Sequence, residues 1–324
     1  MHTHEPLASL LEPIRTEMGQ LERLVHETLA AAAAPLGPAL CRRLEGGKRL
    51  RPALVILSGR LLGAPMGPLL SLAAGLDLLH AATLVHDDLL DGASLRRGRE
   101  TLHTVWPVGA TVLAGDYLLG QAISFMAELE QPRVLGVFGA LLRTLCAGEI
   151  QQTLVSRGRH RDRAACYRNI EAKTASLFAA AVEMAALLAG APEPQIAALR
   201  HYGRELGLAF QIADDVLDLT GDEAQLGKPA GSDLRQGLVT LPILCYLEQA
   251  EGETPVHAVL AGQGDEAHLQ AALLAIRASG AIAAAMDEAR AHARQAQEAL
   301  AGLPDSDSRR ALCGLATYVV ERER

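Results

Sequence analysis

In the stretch VHDDLLDG, aspartates at 87, 88 and 91 are set into an apolar run, and DDVLDL repeats the spacing at Asp214, Asp215 and Asp218. Residues four apart share a helix face, so Asp87 and Asp91 point the same way, and His80, seven residues back, lies on the same stripe. Like charges so placed repel unless something positive sits against them. An EF-hand loop does not supply it, because counting from Asp87 the third position is Leu89 and the twelfth is Gly98. Carboxylates at a helix end beside a water-filled cavity suit Mg²⁺, which keeps waters and takes one or two carboxylates plus phosphate oxygens. A single DDxxD reads equally well as surface acids. Two copies, each inside an apolar helical pattern, are hard to read as solvated faces; facing each other they would hold several metal ions and, through them, one polyanion.

Cations surround these acids in sequence. GGKRLRP at 46–52 gives Lys48, Arg49 and Arg51 between two glycines and a proline that opens the next helix. SLRRG adds Arg96 and Arg97, EAKTAS adds Lys173 and Thr174, LGKPAG adds Lys228, and Gln211 stands three residues before Asp214. Neither Gly-Lys site is a P-loop: the first lacks the upstream glycine, and the second has five residues between Gly221 and Gly227 and a proline after the lysine. The simplest account has metal-bound carboxylates gripping one diphosphate while Lys and Arg grip another.

The elements that must position these groups read as helices. Helical spacing predicts them over 7–34, 38–46, 52–63, 67–91, 108–129, 132–156, 163–190, 193–219, 238–250, 265–278, 280–302 and 307–322. No alternating strand pattern or hairpin signal stands out. The expectation is an all-α fold of about a dozen helices in a single domain over 1–324. Apolar residues make up 49% of the chain and aromatics only 3%, which favours close-packed helices. A net charge of −8 argues against nucleic acid as a partner. Five scattered cysteines without a CxxC pair fit a reducing cytoplasm and offer no zinc site. Asp77 and His80 interrupt the run 69–85 and Glu183 interrupts 175–191, so no uninterrupted apolar stretch reaches the roughly 18 residues of a bilayer span. A soluble protein with no transmembrane segment is expected.

With these pieces in view, the sequence resembles the trans-isoprenyl (polyprenyl) diphosphate synthases, of the long-chain type that makes heptaprenyl or octaprenyl products. GGKRLRP, LVHDDLLDGASLRRG, AGDYLL, GEIQQ, KTASLF, QIADDVLD, GKPAGSDLRQG, TLP and LATYVVER run in that family's order over nearly the whole chain. The resemblance implies the isoprenoid synthase fold, a helical bundle around a deep central cavity, and a homodimer. It implies Mg²⁺-dependent condensation of isopentenyl diphosphate with an allylic diphosphate. Lys48, Arg51, His80 and Arg97 match the residues that bind isopentenyl diphosphate. Asp87 and Asp91 match the metal ligands of the first motif, with Asp214 and Asp218 their counterparts in the second. Arg96, Lys173, Thr174, Gln211 and Lys228 match the shell around the allylic diphosphate, so Asp87, Asp91, Asp214, Lys173 and Arg96 form the expected catalytic set. Asp88 and Asp215 are expected as partners that orient ligands and water, and His86 and His103 as structural. The sequence departs from the family at Leu238, where a lysine is frequent, and at Gly92 and Glu100, where relatives carry an acid and a proline.

Chain length follows from the helix before Asp87. Ala82, Thr83 and Leu79 are expected to wall the product tunnel, with Leu76 and Gly75 deeper and Phe125 or Met126 as its floor. Ala82 and Thr83 are small, which leaves the tunnel open and points to a heptaprenyl to decaprenyl product for quinone side chains. The alternatives are a farnesyl or geranylgeranyl synthase, and a non-catalytic partner subunit; such subunits lose the aspartates, whereas all six are present here. A terpene cyclase has no need of a second diphosphate site, and a His-Asp phosphohydrolase has no role for a tandem DDxxD.

Overall fold

A computed structural model describes residues 6–44, 46–96, 98–154, 162–221 and 230–322. The helices are α1 (Leu7–Leu10), α2 (Arg15–Ala30), α3 (Leu36–Leu44), α4 (Leu50–Leu61), α5 (Met66–Leu90), α6 (Leu102–Val105), α7 (Val108–Glu128), α8 (Pro132–Leu154) and α9 (Arg163–Ile170). They continue as α10 (Ser176–Leu188), α11 (Glu193–Thr220), α12 (Ser232–Arg235), α13 (Leu241–Gln249), α14 (Pro255–Leu260), α15 (Glu266–Ala278), α16 (Ala281–Ala299) and α17 (Asp307–Glu321). The fold is all-α. Its one departure among the described residues is a two-stranded antiparallel pair, β1 (Leu95–Arg96) with β2 (Arg99–Glu100). Arg96 pairs with Arg99 across this turn, whose brevity hid it from any alternation pattern.

Two helices that are apolar nearly all round, α4 and α5, sit at the centre. α5 lies along α7 and α4, and α11 along α10 and α16, so both aspartate motifs ride on central helices. Leu54, Ile56, Leu57, Leu72 and Leu76 are fully buried between them. A second, smaller apolar cluster joins Leu219 at the end of α11 to Leu234, Ile243, Leu260 and Leu273.

The predicted helix 7–34 breaks into α1, a 3₁₀ turn at Glu12–Ile14 and α2. Pro13 removes a backbone donor there. The predicted helix 163–190 is interrupted by a π-turn at Glu171–Ala175, which no breaker residue announces. The short helices α12 and α14 fall below the length at which periodicity can be read. α5 stops where expected. Ala93 N–H donates to Asp88 O at 3.0 Å and Gly92 N–H to Leu89 O at 3.3 Å, the paired bonds of a Schellman end, and Gly92 takes the left-handed φ of 63° that this end requires.

By length and composition alone, α5 and α8 are each apolar enough to cross a bilayer, despite the absence of an unbroken apolar run. In α5, 61% of the apolar window is buried within the protein, and its interrupting Asp77 is taken up by Arg49. In α8 only 17% is buried.

Candidate functional site

The basic loop is built first. Arg49 caps α4 from a left-handed conformation, φ 50° and ψ 33°, an unfavourable place for a residue with a Cβ. It is held there by an ion pair with Asp77 of α5, itself buried, and by donation to the Leu44 carbonyl at 3.1 Å. The middle cation of KRLR is thus structural, and it aims its neighbours. Arg51 lies 2.9 Å from His80 Nε2 and 5.0 Å from the Phe178 ring, and Lys48 lies 5.9 Å from the Tyr318 ring. Lys48, Arg51 and His80 together line a cavity of about 640 Å³, with Arg43, Arg96 and Arg322 adding charge and Ala81, Leu84, Val85 and Phe210 supplying apolar wall.

The first acid motif sits at the end of the same helix. Asp88, the middle residue, is 2% exposed, accepting from Arg96 Nε at 2.5 Å and from Arg43 at 3.4 Å. Arg96, expected beside the allylic diphosphate, lies at the cavity wall and acts on Asp87 as well, between the two regions. Asp87 is pushed up to about 6 from an ordinary 3.8; burial outweighs the favourable Lys173 charge, and Glu149 and Asp91 add repulsion. Asp91 is raised by burial too. For Lys173, burial acts to lower the pKa, but Asp87, Glu149 and Asp91 more than offset it and the net direction is up. Glu149 of α8, 3.3 Å from Lys173, is a site residue the sequence reading missed. It stands inside the recognised GEIQQ piece, but as a lone acid on another helix its approach is purely tertiary.

Lys173 and Thr174 both occupy the π-turn, a distortion that frequently marks functional positions. Arg204 fastens it, gripping Glu171 at 2.7 and 3.2 Å and the buried Glu205 at 2.7 Å. Thr174 Oγ1 donates to Gln211 Oε1 at 2.6 Å, and Gln211 Nε2 donates to Asp215 Oδ1 at 2.8 Å. Asp215 is buried, and that burial, with Asp233 next, holds its carboxyl well above the usual range. Asp214 remains half-exposed and pairs with Arg322 at 2.6 Å.

Asp218, expected as a metal ligand, is engaged by protein donors in this structure. It is buried, its oxygens accept from Ser232 Oγ at 2.7 Å and Asp233 N–H at 3.2 Å, and its carbonyl accepts from Gly231 N–H at 2.8 Å. It anchors the segment that returns beneath the motif. Arg97 and Lys228 lie outside the described residues. His86 Nε2 lies 3.2 Å from Val112 O and 3.6 Å from Asp116 Oδ1, both on α7.

The residues expected to wall the tunnel lie in the C-terminal half of α5. Ala82 and Leu79 are buried in the core and Thr83, half-buried, donates to His80 O at 2.8 Å. None of the three lines the cavity beside the basic loop, whose apolar wall on this helix is Ala81, Leu84 and Val85, with Asp77, His80 and Asp88 its polar part. Gly75 packs so tightly on α7 that a Cβ there would run into Met126 Cε, with Phe125 beside it.

Among the described residues no three His, Cys, Asp or Glu form a ready-made metal cage. Asp87 with Asp91, and Asp214 separately, instead offer half-open carboxylates in poorly solvated surroundings. That donor set suits a hard cation completed by phosphate oxygens.

The polyprenyl synthetase family model matches residues 38–276. The chain is 37% identical to heptaprenyl diphosphate synthase component 2 of Geobacillus stearothermophilus, over 98% of this chain and 99% of that one. It is 36% identical to a short chain isoprenyl diphosphate synthase of Methanothermobacter thermautotrophicus, covering 86% and 87%. The crystal structure of a polyprenyl synthase from Caulobacter crescentus, complexed with calcium and isoprenyl diphosphate, superposes with a TM-score of 0.94 at 36% identity over 100% of both chains.

Proposed function

The chain belongs to the polyprenyl synthetase family and is a prenyltransferase, and we propose that it joins isopentenyl diphosphate to an allylic diphosphate, head to tail, to build a long all-trans polyprenyl diphosphate. One observation carries the reading. His80, paired with Arg51, and the acids Asp87 and Asp91 lie on one stripe of α5, and seven residues of helix separate them by about 10 Å. Two diphosphates held at those points lie side by side.

Lys48, Arg51 and His80 grip the diphosphate that stays on isopentenyl, and Arg97 is assigned to the same group. Lys173, with Arg96, faces the diphosphate that leaves, and Lys228 is assigned to the same group. Thr174 and Gln211 fix the orientation of that shell through Asp215. Asp87, Asp91 and Asp214 are the residues that would hold Mg²⁺; when bound it supplies positive charge that stabilises the departing diphosphate. The allylic C–O bond breaks with its electron pair going to that diphosphate, and the isopentenyl double bond forms the new C–C bond to the allylic carbon. A proton from the adjacent carbon then passes to the released diphosphate. Holding both partners in register supplies much of the rate.

The product is assigned as heptaprenyl to decaprenyl, for a quinone side chain, because Ala82 and Thr83 place no aromatic beside Asp87. A second reading has a specific observation behind it: Met126 abuts Gly75, twelve residues or about 18 Å of helix below Asp87, which favours a farnesyl or geranylgeranyl product unless that flexible side chain swings aside. The whole chain acts as one catalytic unit, in the cytoplasm and as a homodimer. Support for the dimer is the exposed apolar surface of α7 and α8, where Leu113 is 67% and Ile150 57% exposed. Purified protein given labelled isopentenyl diphosphate, each allylic primer and Mg²⁺ or chelator, with products sized by chromatography, tests all of this. No elongation with any primer would refute it, and products of four isoprene units or fewer would choose the second reading.

A further inference from the structure

Outside the basic loop and the acid motifs, one cation enters the site from the end of the chain. Arg322 follows α17 directly, and its side chain is only 3% exposed. Its guanidinium lies 3.9 Å from the Phe210 ring centroid, and Nη2 donates to the Phe210 carbonyl at 3.2 Å and to Asp214 Oδ1 at 2.6 Å. Phe210 and Asp214 stand one turn apart on α11. The arginine is therefore fastened to that helix at three points: a ring, a carbonyl and a carboxylate.

Exposed ion pairs contribute little because both partners stay hydrated and mobile. This pair is different in kind. The guanidinium has left water, and its planar fork is locked between ring and carbonyl, so its place is set by α11 and α17 before Asp214 is considered. Asp214 keeps 43% of its side-chain surface open. A carboxylate held at one oxygen by a fixed donor, while much of its surface faces solvent, has the form of a metal ligand aimed by an outer partner.

We propose that Arg322 is a positioning residue for the second aspartate motif: by holding Asp214 Oδ1 it selects the rotamer in which that carboxylate is offered to a divalent cation. This rests on reading Asp214 as a metal ligand. The rival has the opposite sign. A cation so close to Oδ1 could act as a brake that an incoming metal must displace, and its removal would then tighten metal binding. The tie to Phe210 favours orientation, since a brake has to move away and this group is anchored on its far side.

The sign of one measurement decides. Binding of Mn²⁺ to the full chain, saturated with an unreactive allylic thiodiphosphate, is followed by the paramagnetic resonance of the free ion. Arg322→Gln should raise the Kd for Mn²⁺ about 10- to 100-fold, the usual cost of losing an outer-shell partner. Arg322→Lys should recover part of the loss. In an Asp214→Asn background the Gln substitution should change nothing further. A folded Arg322→Gln with unchanged or tighter Mn²⁺ binding overturns the proposal. Should Arg322→Gln lose its circular dichroism, Arg322→Lys decides alone: a single-point donor must weaken binding by at least about threefold, and wild-type affinity overturns the assignment. Wild-type protein that binds no Mn²⁺ here overturns the metal-dependent reading itself.

Discussion

Asp87→Asn should make the metal-free protein more stable while destroying its activity. Burial lifts the Asp87 carboxyl from 3.8 to about 6 even with Lys173 nearby, so the folded state binds the proton more tightly than the unfolded chain does. The stability this confers is complete below about pH 4 and is lost as pH rises through 6. A displacement of about two on the pH scale corresponds to about 3 kcal/mol at 1.36 kcal/mol per pH unit. Asp87 keeps some solvent contact, which discounts the figure to about 1–2 kcal/mol. Asparagine is neutral at every pH and nearly the same shape, so at pH 8 with chelator the variant should gain that amount, about 2–3 °C in melting temperature for a chain this long. At pH 5 the gain should fall to about half, because the unfolded carboxyl is already ionised there while the folded one is mostly protonated. Turnover should fall by at least about a hundredfold. Denaturant melts of both proteins at pH 5 and 8, with and without chelator, read the effect directly. An Asn variant less stable than wild type at pH 8, or a difference independent of pH, would refute the account of Asp87 as a strained anion awaiting a cation.

Lys48→Ala and Arg51→Ala should each raise KM for isopentenyl diphosphate about 10- to 100-fold, as expected for losing a charge-assisted bond, and leave the allylic KM nearly unchanged in steady-state assays. Ala82→Phe with Thr83→Phe should shorten the product by several isoprene units on thin-layer chromatography while turnover persists, at a packing cost of about 1–3 kcal/mol; an unchanged product spectrum removes these residues from length control. Arg49→Leu leaves Asp77 buried without its ion-pair partner and should cost about 3–5 kcal/mol in chemical denaturation, far more than Arg42→Leu. If the proposed homodimer forms through the open face of α7, wild type should sediment as a dimer and Leu113→Glu as a monomer; a variant that stays dimeric places the interface elsewhere, and a monomeric wild type removes the dimer.

What the sequence discloses about this site is what lies close together in it. His80, Asp87 and Asp91 are polar residues at one spacing in an apolar helix, so their shared face follows from helix geometry alone. Lys48 and Arg51 are legible for the same reason, because two glycines and a proline bracket them. The division of labour within a motif is not. Asp214 and Asp218 look equivalent by spacing, yet Asp218 accepts from Ser232 and Asp233, residues that no local pattern ties to it. Arg49 and Arg51 read alike until Asp77 claims one of them. Glu149 and Arg322 each owe their role to the packing of a helix distant in the chain, and no local pattern encodes that. The fold class, by contrast, is spread across every helix and survives misread boundaries.

The π-turn at Glu171–Ala175 makes the length of the gene here matter more than its spelling. Hydrogen bonding from i to i+5 accommodates one residue more than regular α-helix would. Loss of a single codon between 171 and 175 would let α9 and α10 fuse into one unbroken helix, an outcome the bundle tolerates. It would also rotate everything upstream of the deletion by about 100° against everything downstream. Lys173 would then turn from Glu149, or Thr174 from Gln211, but the two could no longer serve both. Descendants of this chain should therefore keep the number of residues between 171 and 175 unchanged, even where residue types around them vary.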